Sequence, residues 1–60
     1  MIVKVFQNIG DRLTTASAYK ALLALYADEI YPHAKAAGSL GGAVRSGFIV
    51  LNGNMYERVR

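Results

Sequence analysis

Four cations, Lys35, Arg45, Arg58 and Arg60, stand against a single acid, Glu57, in residues 31–60, and they carry the whole net charge of +3. In residues 1–30, Lys4, Arg12 and Lys20 are balanced by Asp11, Asp28 and Glu29. Such an asymmetry suits an anionic partner, nucleic acid above all, because lysine and arginine neutralise phosphates. Acid–base chemistry would need other groups, and Asp28, Glu29 and His33 are the only ones gathered in one stretch. Glu29 and His33 share a helical face only if Pro32 leaves a helix continuous, so a solvated edge is expected there. No nucleophile lies beside a base in a recognisable arrangement, and no enzymatic role is expected.

Metal and cofactor chemistry have little to work with. The chain has no cysteine and one histidine, too few ligands for a zinc site. The run "GSLGGAVRSG", Gly38 to Gly47, is glycine-rich but lacks the lysine and Ser/Thr ending of a phosphate-binding loop, and its spacing does not match the dinucleotide fingerprint. No cofactor is expected.

Sixty residues make one domain at most, expected to span 1–60. A chain this short buries only about 60% of its unfolded surface, which leaves its stability marginal. Oligomerisation is the common remedy where disulfides and metals are absent. The composition, 53% hydrophobic and 18% charged, is that of a folded protein. The longest apolar stretch, Ala21 to Tyr26, falls far short of the roughly 20 residues that cross a bilayer, and "MIVKVFQN" is too short and polar for a secretory segment. A soluble, cytoplasmic protein is expected.

The elements that would carry these cations can be sketched from periodicity. "IVKVF", Ile2 to Phe6, is β-branched and aromatic and reads as a short strand, with "QNIGDRL" a loop after it. Thr14 or Thr15 can cap a helix over "ASAYKALLALYADEIY". There Tyr19, Leu22, Leu23, Tyr26 and Ile30 draw one apolar stripe, with the tyrosine hydroxyls at its rim. Pro32 starts a second, short helix to Ala37. Gly38 closes it, Ser39 caps a third helix over Leu40 to Ser46, and Gly47 stops that.

"FIVLNGNMYERVR" reads as two strands around an Asn52-Gly53 turn. Alternation puts Phe48, Val50, Met55 and Val59 on the face toward the helices. Ile49, Leu51 and Tyr56 are then left on a face that needs another cover. The fold class is α+β: a short N-terminal strand, one long helix, two short helices and a C-terminal hairpin.

"AKAAGSLGGAV", Ala34 to Val44, has the spacing of a helix-turn-helix, with Ala34 small, Gly38 at the turn and Val44 packing back. Ala37 and Ala43 are small enough to line the crossing. Together with the hairpin "FIVLNGNMYERV", it resembles the small helix-turn-helix DNA-binding proteins, Cro-type and winged-helix repressors. The resemblance implies that the hairpin pairs with the first strand and supports a dimer. It also implies that the second helix of the pair enters the major groove, placing Ser39, Gly41, Gly42 and Arg45 nearest DNA.

The expected function is that of a small homodimeric DNA-binding protein, a transcriptional regulator of phage or mobile-element type. Lys35, Ser39, Arg45, Arg58 and Arg60 are its expected contacts to double-stranded DNA. The alternative is a module that binds or inhibits another protein through the hairpin surface of Ile49, Leu51 and Tyr56.

Overall fold

The computed structural model of the chain describes residues 2–60. It is α+β, with the order α1 (Ile2–Val5), β1 (Arg12–Thr14), α2 (Thr15–Leu25), α3 (Pro32–Arg45), β2 (Ile49–Asn52) and β3 (Met55–Arg58). The strands form one antiparallel sheet in the order β1-β3-β2. Phe6, Ala18, Leu22, Ala36, Leu40, Ala43 and Ile49 make up the core between sheet and helices.

The N-terminal segment departs from its expected strand. Ile2–Val5 is one helical turn, with the Phe6 amide donating to the Ile2 carbonyl at 3.0 Å. Strand alternation would set Lys4 on the same face as Ile2 and Phe6, whereas a helical turn gathers Ile2, Val5 and Phe6 together and leaves Lys4 outside. Phe6 is fully buried and Lys4 exposed, so burial overrides the β-preference of the residue types.

The sheet's third strand comes instead from the end of the expected loop. Asn8, Gly10 and Asp11 do form a turn: the Asn8 amide donates to Asp11 Oδ2 at 2.9 Å, and Gly10 takes φ +96. Arg12–Thr14 then pairs with β3, Arg12 opposite Glu57 and Leu13 opposite Tyr56.

α2 starts as its cap residues dictate, with Thr14 accepting a hydrogen bond from the Ser17 amide. Its buried side, Ala18 and Leu22 with Tyr19, Leu23 and Tyr26 packed beside them, follows the apolar stripe. The helix is shorter than the periodicity suggests. It spans 11 residues and ends at Leu25, where Tyr26 is the C-cap, and Ile30 is left 87% exposed. Asp28 and Glu29 oppose the negative end of a helix dipole, and Pro32 disfavours helical geometry at Tyr31.

The two short helices are one. α3 runs 14 residues from Pro32 at its first turn, through Gly38, to Arg45. Neither the Gly38 turn nor the Ser39 cap exists. Ala36, Leu40 and Ala43, spaced as i, i+4 and i+7, bury one face in the core, and that burial outweighs the roughly 1 kcal/mol that each interior glycine costs against alanine. Gly47 does stop the helix. At φ +79 its amide donates to the Val44 carbonyl, and the next amide, Phe48, donates to the Ala43 carbonyl, the paired bonds of a Schellman motif.

The hairpin turn sits one residue beyond Asn52-Gly53. Asn52 pairs with Met55, leaving Gly53-Asn54 as the loop. Gly53 alone has positive φ (+61), the pattern of a type II′ turn with glycine at its first central position. Val50 therefore lies opposite Glu57, where an Asn52-Gly53 turn would set it opposite Met55, and the faces keep their membership: Ile49, Leu51, Tyr56 and Leu13 on one side, Val50, Asn52, Met55, Glu57 and Arg12 on the other. The side turned to the helices is the reverse of the expected one. Ile49 is fully buried, and Tyr56 and Leu13 pack against the core.

Candidate nucleic-acid interface

α2 and α3 are joined by two side-chain hydrogen bonds. Tyr26 Oη and Ser39 Oγ lie 2.6 Å apart in a part-buried seam, and Tyr19 Oη lies 2.7 Å from His33 Nδ1 at the exposed start of α3. These hydroxyls fix how far α3 stands off α2, which packing of alanines alone would leave loose.

With its buried face set, the rest of α3 is committed to solvent. Ala34, Gly38, Gly41 and Arg45 fall opposite Ala36, Leu40 and Ala43 on the helical wheel, and all four are exposed. Lys35 and Arg45, ten residues apart, stand about 15 Å from one another along the axis at 1.5 Å per residue. Beside this face runs a groove of about 510 Å³ between the first turns of α2 (Thr15, Ala16, Tyr19), α3 (Ala37, Leu40, Gly41) and Tyr56 of β3. The hairpin tip, Asn52 to Asn54, is exposed.

The glycines of α3 answer no packing need within the chain. An added Cβ at Gly38, Gly41 or Gly42 would meet nothing within 4 Å, and none of the three has positive φ. Their effect is to flatten the outer surface of the helix.

The structure divides the five expected contact residues. Arg45 is exposed and makes no ion pair or side-chain hydrogen bond among the described residues. Lys35 is exposed, with Glu29 at 3.9 Å, an arrangement too solvated to hold the ammonium. Ser39 faces the other way, into the seam with Tyr26, and does not reach the outer surface.

Arg58 is spent inside the molecule. Its Nη1 donates to the carbonyls of Phe6 (3.0 Å) and Gln7 (2.7 Å), its Nε donates to the Arg60 carbonyl (2.9 Å), and its guanidinium carbon lies 4.5 Å from the centroid of the Phe48 ring. It clamps the end of α1 to the C-terminal strand. Arg60 folds back on α3, its Nη1 donating to the Ser46 carbonyl at 3.0 Å, where a cation complements the helix C-terminus.

The expected partner-binding face of Ile49, Leu51 and Tyr56 is largely interior. Ile49 is fully buried and Tyr56 half-buried; only Leu51, 48% exposed, offers surface. Asp28, Glu29 and His33 are exposed; Glu29 lies 3.9 Å from Lys35, and His33 Nδ1 lies 2.7 Å from the Tyr19 hydroxyl.

Two structural roles escaped sequence reasoning. The clamp by Arg58 joins residues 51 and 52 positions apart, and no local pattern announces it. Arg12, expected in a loop, instead pairs with Glu57 at 3.1 Å across two strands. No helix is long and apolar enough to cross a membrane among the described residues.

Comparison with protein-family models, with curated proteins and with solved structures finds no match to this chain.

Proposed function

We propose that the chain is a small homodimeric DNA-binding protein, a transcriptional regulator of phage or mobile-element type; with Gly38 inside one continuous helix, its reading element is that single helix and not a helix-turn-helix. α3 is its groove-entering helix and the β2–β3 hairpin its wing. The observation that carries this reading is the outer face of α3: a 14-residue helix, held by its opposite side, that presents a nearly bare surface ending in a free arginine.

Small residues at Ala34, Ala37, Gly38 and Gly41 let the helix backbone lie close to base edges. Lys35 and Arg45, about 15 Å apart along the axis, then reach for phosphates at two separate points beside the groove. With alanine and glycine on that face, side-chain hydrogen bonds to bases are few. Recognition relies on apolar contacts such as the thymine methyl and on DNA shape. The hydroxyl of Thr15, which lines the groove beside α3, and the exposed hairpin tip are available to the adjoining backbone.

Mobility-shift titration of the chain with random-sequence duplex at low salt tests the reading. Retarded complexes that dissolve as salt rises support it, and an unshifted duplex at high protein concentration contradicts it.

A further inference from the structure

The groove of about 510 Å³ beside α3 has the size and lining of a small-molecule site, for which roughly 300–1,000 Å³ is usual. Ala37, Leu40 and Gly41 form its α3 wall, and Tyr19 of α2 and Tyr56 of β3 bring aromatic rings to it. Ala37 and Gly41 project no more than a methyl group and Leu40 is buried, so that wall is flat. A flat wall and two aromatic rings suit a planar occupant.

Polar groups stand at one end of the groove. Tyr56 lies opposite Leu13, two residues before Thr15, so these two hydroxyl-bearing residues are neighbours there. The hydroxyls of Tyr19 and Tyr26 are taken by His33 and Ser39, whereas those of Thr15 and Tyr56 have no hydrogen-bond partner among the described residues. Neither is a buried orphan, so both are open to solvent and free to donate to a ligand.

The charge around the groove has one sign. No charged residue lines it, and α2 and α3 together carry Lys20, Lys35 and Arg45 and no acid. Arg45 stands one helical turn beyond Gly41, about 6 Å along the helix surface. It is exposed and unpaired among the described residues.

We propose that this groove binds a planar aromatic carboxylate. Its ring system lies between the α3 wall and the two tyrosines, and its carboxylate accepts from the Thr15 and Tyr56 hydroxyls with Arg45 facing it. A cationic ligand would be opposed by the charge of both helices, and an aliphatic acid would forgo the ring contacts. The consequence for regulation rests on the DNA-binding reading. Gly41 and Arg45 belong to the surface that meets DNA there, so ligand and duplex exclude one another and the ligand releases the chain from DNA.

The test titrates the isotope-labelled full chain with naphthoate, at constant ionic strength and without DNA. Saturable shifts are expected at the amides of Ala16, Tyr19, Gly41 and Tyr56, with a Kd of about 1 mM, ordinary for a ligand of this size. Uncharged naphthamide is expected to bind about tenfold more weakly, because it loses the charge-assisted bonds. Ala16→Leu fills the groove from α2 and is expected to abolish the shifts while the rest of the spectrum keeps its folded dispersion. Absence of saturation, equal affinity for naphthamide, or shifts that survive Ala16→Leu overturn the site. Naphthoate at tenfold its Kd is then expected to raise the apparent Kd for duplex about tenfold, and an unchanged value overturns the competition. Since the first titration contains no DNA, its failure leaves the DNA-binding reading standing. A chain that takes naphthoate but shifts no duplex overturns that reading and leaves the site.

Discussion

The hydroxyls of Tyr26 and Ser39 lie 2.6 Å apart across the seam between α2 and α3, and this bond turns Ser39 away from the surface on which its neighbours Gly38 and Gly41 are displayed. The residue with hydrogen-bonding capacity serves the fold, and the residues without it form the outer face. Tyr26→Phe and Ser39→Ala are each expected to destabilise the chain by about 1 kcal/mol, since each removes one part-buried hydrogen bond. Denaturation of the two single variants and the double variant checks this. Because each single change already breaks the shared bond, the double variant is expected to lose less than the sum of the two.

Gly41 is expected to separate stability from binding. Its φ is not positive and a Cβ there meets nothing within 4 Å, so Gly41→Ala is expected to stabilise the chain by about 0.5–1 kcal/mol through helix propensity and reduced freedom of the unfolded chain. If α3 lies close to DNA, the same substitution weakens binding. A thermal melt and a duplex titration on the same sample check both halves.

Arg58 is expected to behave as a structural residue. Lysine keeps the charge but cannot reproduce a planar fork that donates to three carbonyls while covering the Phe48 ring, so Arg58→Lys is expected to cost about 2 kcal/mol. At a temperature where the variant is folded, the salt dependence of its DNA binding is expected to match that of the parent chain. A lower salt slope would return Arg58 to the set of phosphate contacts.

Arg45 is expected to behave in the opposite way. It is exposed and unpaired among the described residues, so Arg45→Ala should leave stability within about 0.5 kcal/mol of the parent. Its plot of log K against log salt should flatten by about 0.9 per binding chain, the share of one phosphate contact. Fluorescence anisotropy of a labelled duplex over a salt series measures the slope.

Much of the fold was legible where local chemistry decides it. The Thr14 cap, the stripe of Leu22, Leu23 and Tyr26, the Gly47 stop and the presence of a hairpin all follow from side chains within a few positions of one another. Pairing at a distance decided the rest. Arg12–Thr14 is a strand only because β3 lies beside it, and three residues are too few for alternation to be seen. Ile2–Val5 is helical because Phe6 must enter the core, and Gly38 lies inside a helix because Leu40 and Ala43 anchor the turn beyond it.

Of the candidate site, the exposure of Lys35 and Arg45 was legible, since it agrees with their charge. Ser39, Arg58 and Arg60, expected to face a partner, are bonded within the chain for one physical reason. A polar side chain offered to solvent in the sequence is equally able to satisfy a hydroxyl or a carbonyl of its own chain, and only the folded geometry chooses between them.

The docking of α3 is tested most directly by titrating the isotope-labelled chain with duplex DNA at low salt and following each backbone amide. The expected result is a set of shifts at Ala34, Gly38, Gly41 and Arg45, joined by Gly53 and Asn54 at the hairpin tip, with Lys4 and Ile9 unmoved. Shifts confined to the surface around Lys4 and Ile9, or a spectrum that DNA leaves unchanged, would contradict it.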